Sequence, residues 1–297
     1  MSRRLRTALS AALIALACLL VPFGALAAWA AYGLADTGRY VTTMAPLASD
    51  PDVRNAVADT VGAGIMREVD ARRAVPPVVA PFVHDAVRSF TQTRAFRTAW
   101  DAGNRATHHA FMDALRDERS RPVTVDLAPV TAQVKLQLAQ DNVPLANRIP
   151  VEHTALAVLP AQDLAPLRKG YHVLEVAGFW LPVASVVFAV AGIALAVHRR
   201  RAITATALGT ALGGALLGLA VAIGRRLTLA DLPEELHRPA AGAVYDALTA
   251  TLRTASWLLL TLGLTVAAAT WLTRYVRVLR VVRRRRASAA PPTRVRA

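Results

Sequence analysis

Residues 198–226 read HRRRAITATALGTALGGALLGLAVAIGRR, and the reading of this stretch decides the fold. Between Arg201 and Arg225 no residue carries a charge, and Ala, Leu, Gly, Val, Ile and Thr fill the interval. A hydrocarbon core about 30 Å thick takes roughly 20 such residues in a helix. Helix is the form expected there, because lipid offers no partner to an unpaired amide or carbonyl. Arg199, Arg200 and Arg201 give the segment a direction, since short cytoplasmic flanks are enriched in Lys and Arg.

Working outward, three further runs have the same character: residues 8–32, 176–197 and 254–273 flank or follow it, with 202–224 as the span just quoted. Basic flanks at 1–7, 198–201 and 274–297 alternate with them. The expected path is therefore in, out, in, out, in, with both termini cytoplasmic. Residues 33–175 form a large extracytoplasmic segment, and 225–253 an extracytoplasmic loop with a helix. Aromatic residues agree with the assignment. Trp29, Tyr32, Tyr171, Trp180 and Trp257 fall at outer ends, while Trp271 and Tyr275 fall at an inner one, as interfacial belts require. The fold class expected is an all-α membrane protein: a four-transmembrane-helix bundle in the plasma membrane, carrying a mainly helical extracytoplasmic domain with a small two-stranded patch. The first run also fits a signal peptide, with small residues at Ala25, Ala27 and Ala28. Its apolar stretch exceeds the roughly 7–15 residues of such segments, which favours an uncleaved anchor.

Charge narrows the function classes. The chain has 35 Lys and Arg against 20 Asp and Glu, a formal +15. Arg3, Arg4, Arg6, Arg199, Arg200, Arg201 and the nine arginines from Arg274 to Arg296 account for the whole excess. What remains is neutral, which excludes a basic nucleic-acid domain. Arg274, Arg277, Arg280, Arg283, Arg284, Arg285 and Arg286 are the candidates for contact with anionic lipid headgroups, worth about 1 kcal/mol per basic residue at the surface. The end from Ala287 to Ala297 reads as disordered. Cys18 is the single cysteine, so the chain forms no internal disulfide, and it reads as a small packed hydrophobe.

Within the third span, Gly209, Gly213, Gly214 and Gly218 make small-residue pairs on adjacent faces. They serve close helix packing inside the bundle, or alternatively a homo-oligomer. No Asp, Glu, Lys, Arg or His lies in the middle of any span, which disfavours a transporter or channel.

In the outer segment, Ser49-Asp50-Pro51-Asp52 starts a helix reaching about Val69. Pro76, Pro77 and Pro81 break the chain before a helical stretch around Val83–Phe90. Thr93 caps the next helix. On it, Phe96, Trp100, Asn104 and His108 recur every fourth residue, so one face turns from aromatic to polar and back to apolar. Trp100, Asn104 and His108 are the candidate polar stripe. His108 oriented by Asn104 could act as a base; the alternative is that both satisfy neighbouring backbone groups. Val123–Val125 and Thr154–Leu159 read as short strands, and Asp126 as a helix cap. From Ala161 nothing interrupts a helix before the second span, and from about Ala240 another runs into the fourth. His84, Asp85, His108, His109 and Asp113 show no metal-ligand spacing, and no nucleotide or nucleophile motif occurs, so no metal, cofactor or catalytic residue is assigned.

The segment TGRYVTTMAPLASDPDV (Thr37–Val53), the Phe96–His108 stripe with Arg105, the Val123–Leu127 strand and Ala161–Leu181 resemble a group of actinobacterial integral membrane proteins. That resemblance implies one span, a helical outer domain and three further spans, with no activity attached. Taken together, the expectation is a non-catalytic membrane protein whose outer domain senses or binds an envelope component or partner protein. The alternative is a membrane-bound enzyme acting on a lipid-linked or cell-wall substrate.

Overall fold

A computed structural model describes residues 2–72, 79–117, 123–126, 128–140, 155–159, 161–232 and 237–288. Helices account for nearly all of them. In chain order they are α1 (Arg3–Ala28), a π-helical turn at Trp29–Leu34, α2 (Thr37–Met44), a 3-10 turn at Ala45–Ser49, α3 (Pro51–Arg72), α4 (Val79–Thr91) and α5 (Arg94–Arg116). Then follow β1 (Val123–Asp126), α6 (Ala128–Gln140), β2 (Ala155–Leu159), α7 (Ala161–Leu195), α8 (Arg199–Ala230) and α9 (Arg238–Ser288). Among the described residues, four helical segments are long and apolar enough to cross a membrane: Arg3–Leu34, Pro166–Leu195, Arg199–Ala230 and Arg238–Thr273.

The chain divides into two compact units. The first comprises Met1–Leu26, Phe179–Leu219 and Leu252–Ala297. Its interior is built mainly from small side chains: Ser10, Ala17, Ala207, Ala211 and Ser256 are buried beside Ile14, Leu217 and Leu252, while Leu19, Phe23, Trp180, Leu212 and Trp257 are exposed. Small residues let the helices approach closely, which is how helices associate where surrounding solvent is as apolar as leucine. A Cβ on Gly214 would lie 2.8 Å from Leu260 N and from Ser256 O of α9. On the adjacent face, Gly209 meets Cys18 and Gly213 meets Pro22, both on α1. Both glycine faces of α8 are thus taken up by helices of the same chain. Ser10 on α1 donates to Gly192 O on α7 at 2.6 Å, closing the contact between those helices.

The second unit comprises Ala27–Gly178 and Ala220–Thr251. Met44, Leu47 and Val53 form its most buried cluster, with Tyr40, Val57, Trp100, Val244 and Leu248 packed against them. Caps account for the helix starts. Asp36 accepts from Arg39 N at 2.7 Å, which begins α2 directly after the π turn. Asp50 accepts from the amides of Asp52 and Val53, and Thr93 from that of Phe96. Each satisfies donors that have no partner within the first turn.

α3 runs on to Arg72, beyond the Val69 limit read from periodicity, and α4 begins at Val79 rather than near Val83. Pro81 is accommodated because it falls in the first turn, where its missing N–H has no intrahelical acceptor to lose. β1 and β2 pair antiparallel, with Thr124 opposite Ala157 and an irregularity between Val123 and Thr124. α7 is continuous from Ala161 to Leu195, and α9 from Arg238 to Ser288. Pro76, Pro77, Leu127, Thr154 and residues 289–297 lie outside the described residues, as do the side chains of Asp126 and of the arginines from Arg274 to Arg286.

Candidate functional site

The stripe on α5 faces α2 and the π turn, and its polar members are held there by specific bonds. Trp100 Nε1 donates to Met44 O at 2.9 Å, which anchors α5 to the end of α2. Asn104 Nδ2 donates to Trp100 O within its own helix, and Tyr40 Oη makes a longer contact of 3.5 Å to Asn104 Oδ1. His108 is 8% exposed, so both ring nitrogens need partners. Nε2 lies 2.9 Å from Leu34 O, and Nδ1 lies 2.9 Å from Thr37 Oγ1.

Those partners assign the tautomer. A carbonyl only accepts, so Nε2 carries the proton and Nδ1 accepts from the Thr37 hydroxyl. Tyr40 stacks on the imidazole with ring centroids 4.4 Å apart. Burial pushes the pKa of His108 down, against a smaller opposing effect of the Leu34 bond, which favours the neutral ring. Burial pushes the Tyr40 phenol up. With one nitrogen bonded to a carbonyl and the other to a hydroxyl, the His108 ring ties α5 to the π turn and to the first turn of α2.

What the network frames is a set of cavities that share Tyr40. One of about 340 Å³ is lined by Leu34, Tyr40, His108, Phe111, Met112, Leu115, Tyr171 and Leu174. A second of about 420 Å³ lies among Val57, Val61, Phe90, Phe96, Trp100 and Asn104. The third, about 500 Å³, is more polar and includes Asp36, Arg39, Thr42, Thr43 and Thr251. Apolar walls with a few fixed polar groups are the usual lining of small-molecule sites, and the first two volumes fall within their range of about 300–1,000 Å³. The π turn contributes Leu34 to two of these cavities. Its Ala35 amide reaches back to Ala30 O, and Trp29 Nε1 bonds Leu248 O at 3.1 Å. Single π turns are frequent at functional sites.

Of the residues singled out from sequence, the structure brings Trp100, Asn104 and His108 onto one surface. His84 is elsewhere, paired with Asp59 across α3 and α4. No group of three or more His, Cys, Asp or Glu suited to a metal occurs among the described residues. Sequence reasoning missed Leu34, Thr37 and Tyr40. The signal for two of them was present: Asp36 is a helix cap, and it places Thr37 and Tyr40 three residues apart on one face of α2. On Asp101, two turns before His108, Oδ1 is enclosed without a hydrogen-bond partner, and burial raises its pKa while Arg105 opposes that.

Comparison of the chain with family models, curated proteins and solved structures finds no match.

Proposed function

We propose that this is a multi-pass plasma-membrane protein, of the actinobacterial group it resembles, whose second unit binds the apolar part of an envelope component or partner protein outside the cell. The carrying observation is the cavity beside His108. It is walled by Phe111, Met112, Leu115 and Leu174, and its polar groups belong to Tyr40, His108 and Tyr171. Such a lining suits a hydrophobic group with one polar handle. Engagement of both His108 nitrogens favours binding over turnover.

Membrane placement is supported by the first unit, where most large apolar side chains face outward and most buried ones are small. That is the reverse of a water-soluble core. The basic flanks put both termini in the cytoplasm and residues 33–175 outside, and the tail from Arg274 to Arg286 rests on anionic headgroups.

A photo-crosslinking amino acid at Leu115, activated in native membranes, tests the binding reading. An adduct identified by mass spectrometry at Leu115, and absent with the same group at exposed Arg105, is the expected result. No adduct above the Arg105 control would refute it. Reporter fusions after residues 115, 200, 240 and 297 test the orientation, with out, in, out, in expected.

A further inference from the structure

A cavity of about 1130 Å³ lies in the first unit between the start of α1 and the start of α8. Arg3, Arg4, His198 and Arg201 line one end of it. From there the lining passes through Ala11, Ile14 and Ala15 to Cys18 on one side, and through Ala205 to Gly209 on the other. Fifteen residues of helix separate Arg3 from Cys18, a distance of about 22 Å at 1.5 Å per residue. The lining is therefore cationic at one end and, over the seven residues from Ala11 to Cys18, apolar for about 10 Å, most of the depth of one leaflet of hydrocarbon, about 15 Å.

The charge at this end is uncompensated. Within the first unit, arginines stand at 3, 4, 6, 199, 200, 201, 253 and along the 274–296 tail, and there is no Asp or Glu. Arg3, Arg4 and Arg201 are exposed, and their guanidinium groups have no partner among the described residues. A second copy of this unit offers no Asp or Glu side chain to them either. A soluble anion would satisfy the guanidinium groups but leave the long apolar wall uncovered.

We propose that this cavity seats one anionic phospholipid, its phosphate held by Arg3, Arg4 and Arg201 and one acyl chain lying along Ala11, Ala15, Ala205 and Gly209. Guanidinium groups grip phosphate oxygens in paired hydrogen bonds. Ala11, Ala15 and Ala205 are exposed, so a chain can reach the wall from the side. The seat rests on the membrane placement proposed above and is separate from headgroup contact along the C-terminal tail.

The test uses full-length protein reconstituted into phosphatidylcholine nanodiscs containing a minority of phosphatidylglycerol, with retained lipid counted by native mass spectrometry. The unsubstituted protein is expected to retain one phosphatidylglycerol at least tenfold over its mole fraction. R3Q/R4Q/R201Q should bring that to parity with phosphatidylcholine. Ala205→Trp, which fills the wall without changing charge, should lower retention about tenfold. R3Q/R4Q alone, at the exposed start of α1, guards against misfolding of the other variants and should reduce retention severalfold. R283Q/R284Q/R285Q/R286Q should leave the tightly held lipid in place.

Undiminished retention in both R3Q/R4Q and R3Q/R4Q/R201Q, or loss in the tail variant alone, overturns the seat. Displacement by millimolar glycerophosphoglycerol would overturn the lipid in favour of a free phosphate ester. Failure of the protein to enter nanodiscs, or its release from membranes by alkaline carbonate, would instead sink the membrane placement.

Discussion

Thr37 Oγ1 and His108 Nδ1, 71 positions apart in sequence, lie 2.9 Å from each other. The contact joins the first turn of α2 to the middle of α5, and with the Leu34 bond it leaves the imidazole no free nitrogen. The wall of the apolar cavity depends on this, because His108 and Tyr40 form part of it and stack on one another.

Thr37→Val keeps the shape of the side chain and removes its hydroxyl. Nδ1 is then a buried acceptor without a donor, at a cost of about 1–3 kcal/mol. Thr37→Ser should recover most of that loss. Thermal unfolding in detergent, followed by circular dichroism, measures both. Equal midpoints for the valine variant and the parent would show that the bond contributes nothing.

Because burial lowers the pKa of His108 below its ordinary 6.5, the unfolded chain binds the proton more readily than the native one. Its stabilising contribution is complete above about pH 6.5 and is lost as the pH falls from there toward the native pKa. His108→Gln, which retains a donor and an acceptor but does not titrate, should flatten the decline over that interval. Parallel stability profiles for parent and variant would contradict the assignment of His108 as a neutral buried ring.

The long elements were legible because their causes are local. Uncharged runs of twenty or more residues, Asp50, Thr93 and the four-residue recurrence on α5 are each read from neighbouring residues of the sequence. The site was legible only in part. Trp100, Asn104 and His108 share a face whatever they touch, but their partners Met44, Leu34, Thr37 and Tyr40 come from an earlier part of the chain. No spacing within α5 encodes that pairing. The π turn was equally hidden, since Trp29–Leu34 is compositionally a continuation of α1.

Gly263 on α9 tests the packing of the first unit. A Cβ there would crowd Ala207 O and the Ala211 Cβ of α8, which are backbone and near-backbone groups unable to rotate away. Gly263→Val should therefore force the helices apart and cost about 1–3 kcal/mol or more. Gly64, whose Cβ would meet nothing, is the matched control, and Gly64→Ala should be neutral to stabilising. Similar losses at the two positions would mean that Gly263 is not a helix contact.

Asp101 presents the opposite sign from His108. Its carboxyl is held above the ordinary value of 3.8 by burial, only partly offset by Arg105, and Oδ1 has no hydrogen-bond donor. The ionised form is the one penalised, so the native state favours the protonated acid. The associated stability is full below the unfolded pKa and disappears as pH rises through the raised native one. At neutral pH the charge is therefore a burden that Asp101→Asn removes, with a gain of up to about 0.5 kcal/mol, the usual scale for a partly exposed position. That gain should shrink as the pH falls and the native carboxyl takes up its proton ahead of the unfolded one. A variant less stable than the parent at pH 7 would show instead that Asp101 works as a carboxylate, with Arg105 as its partner.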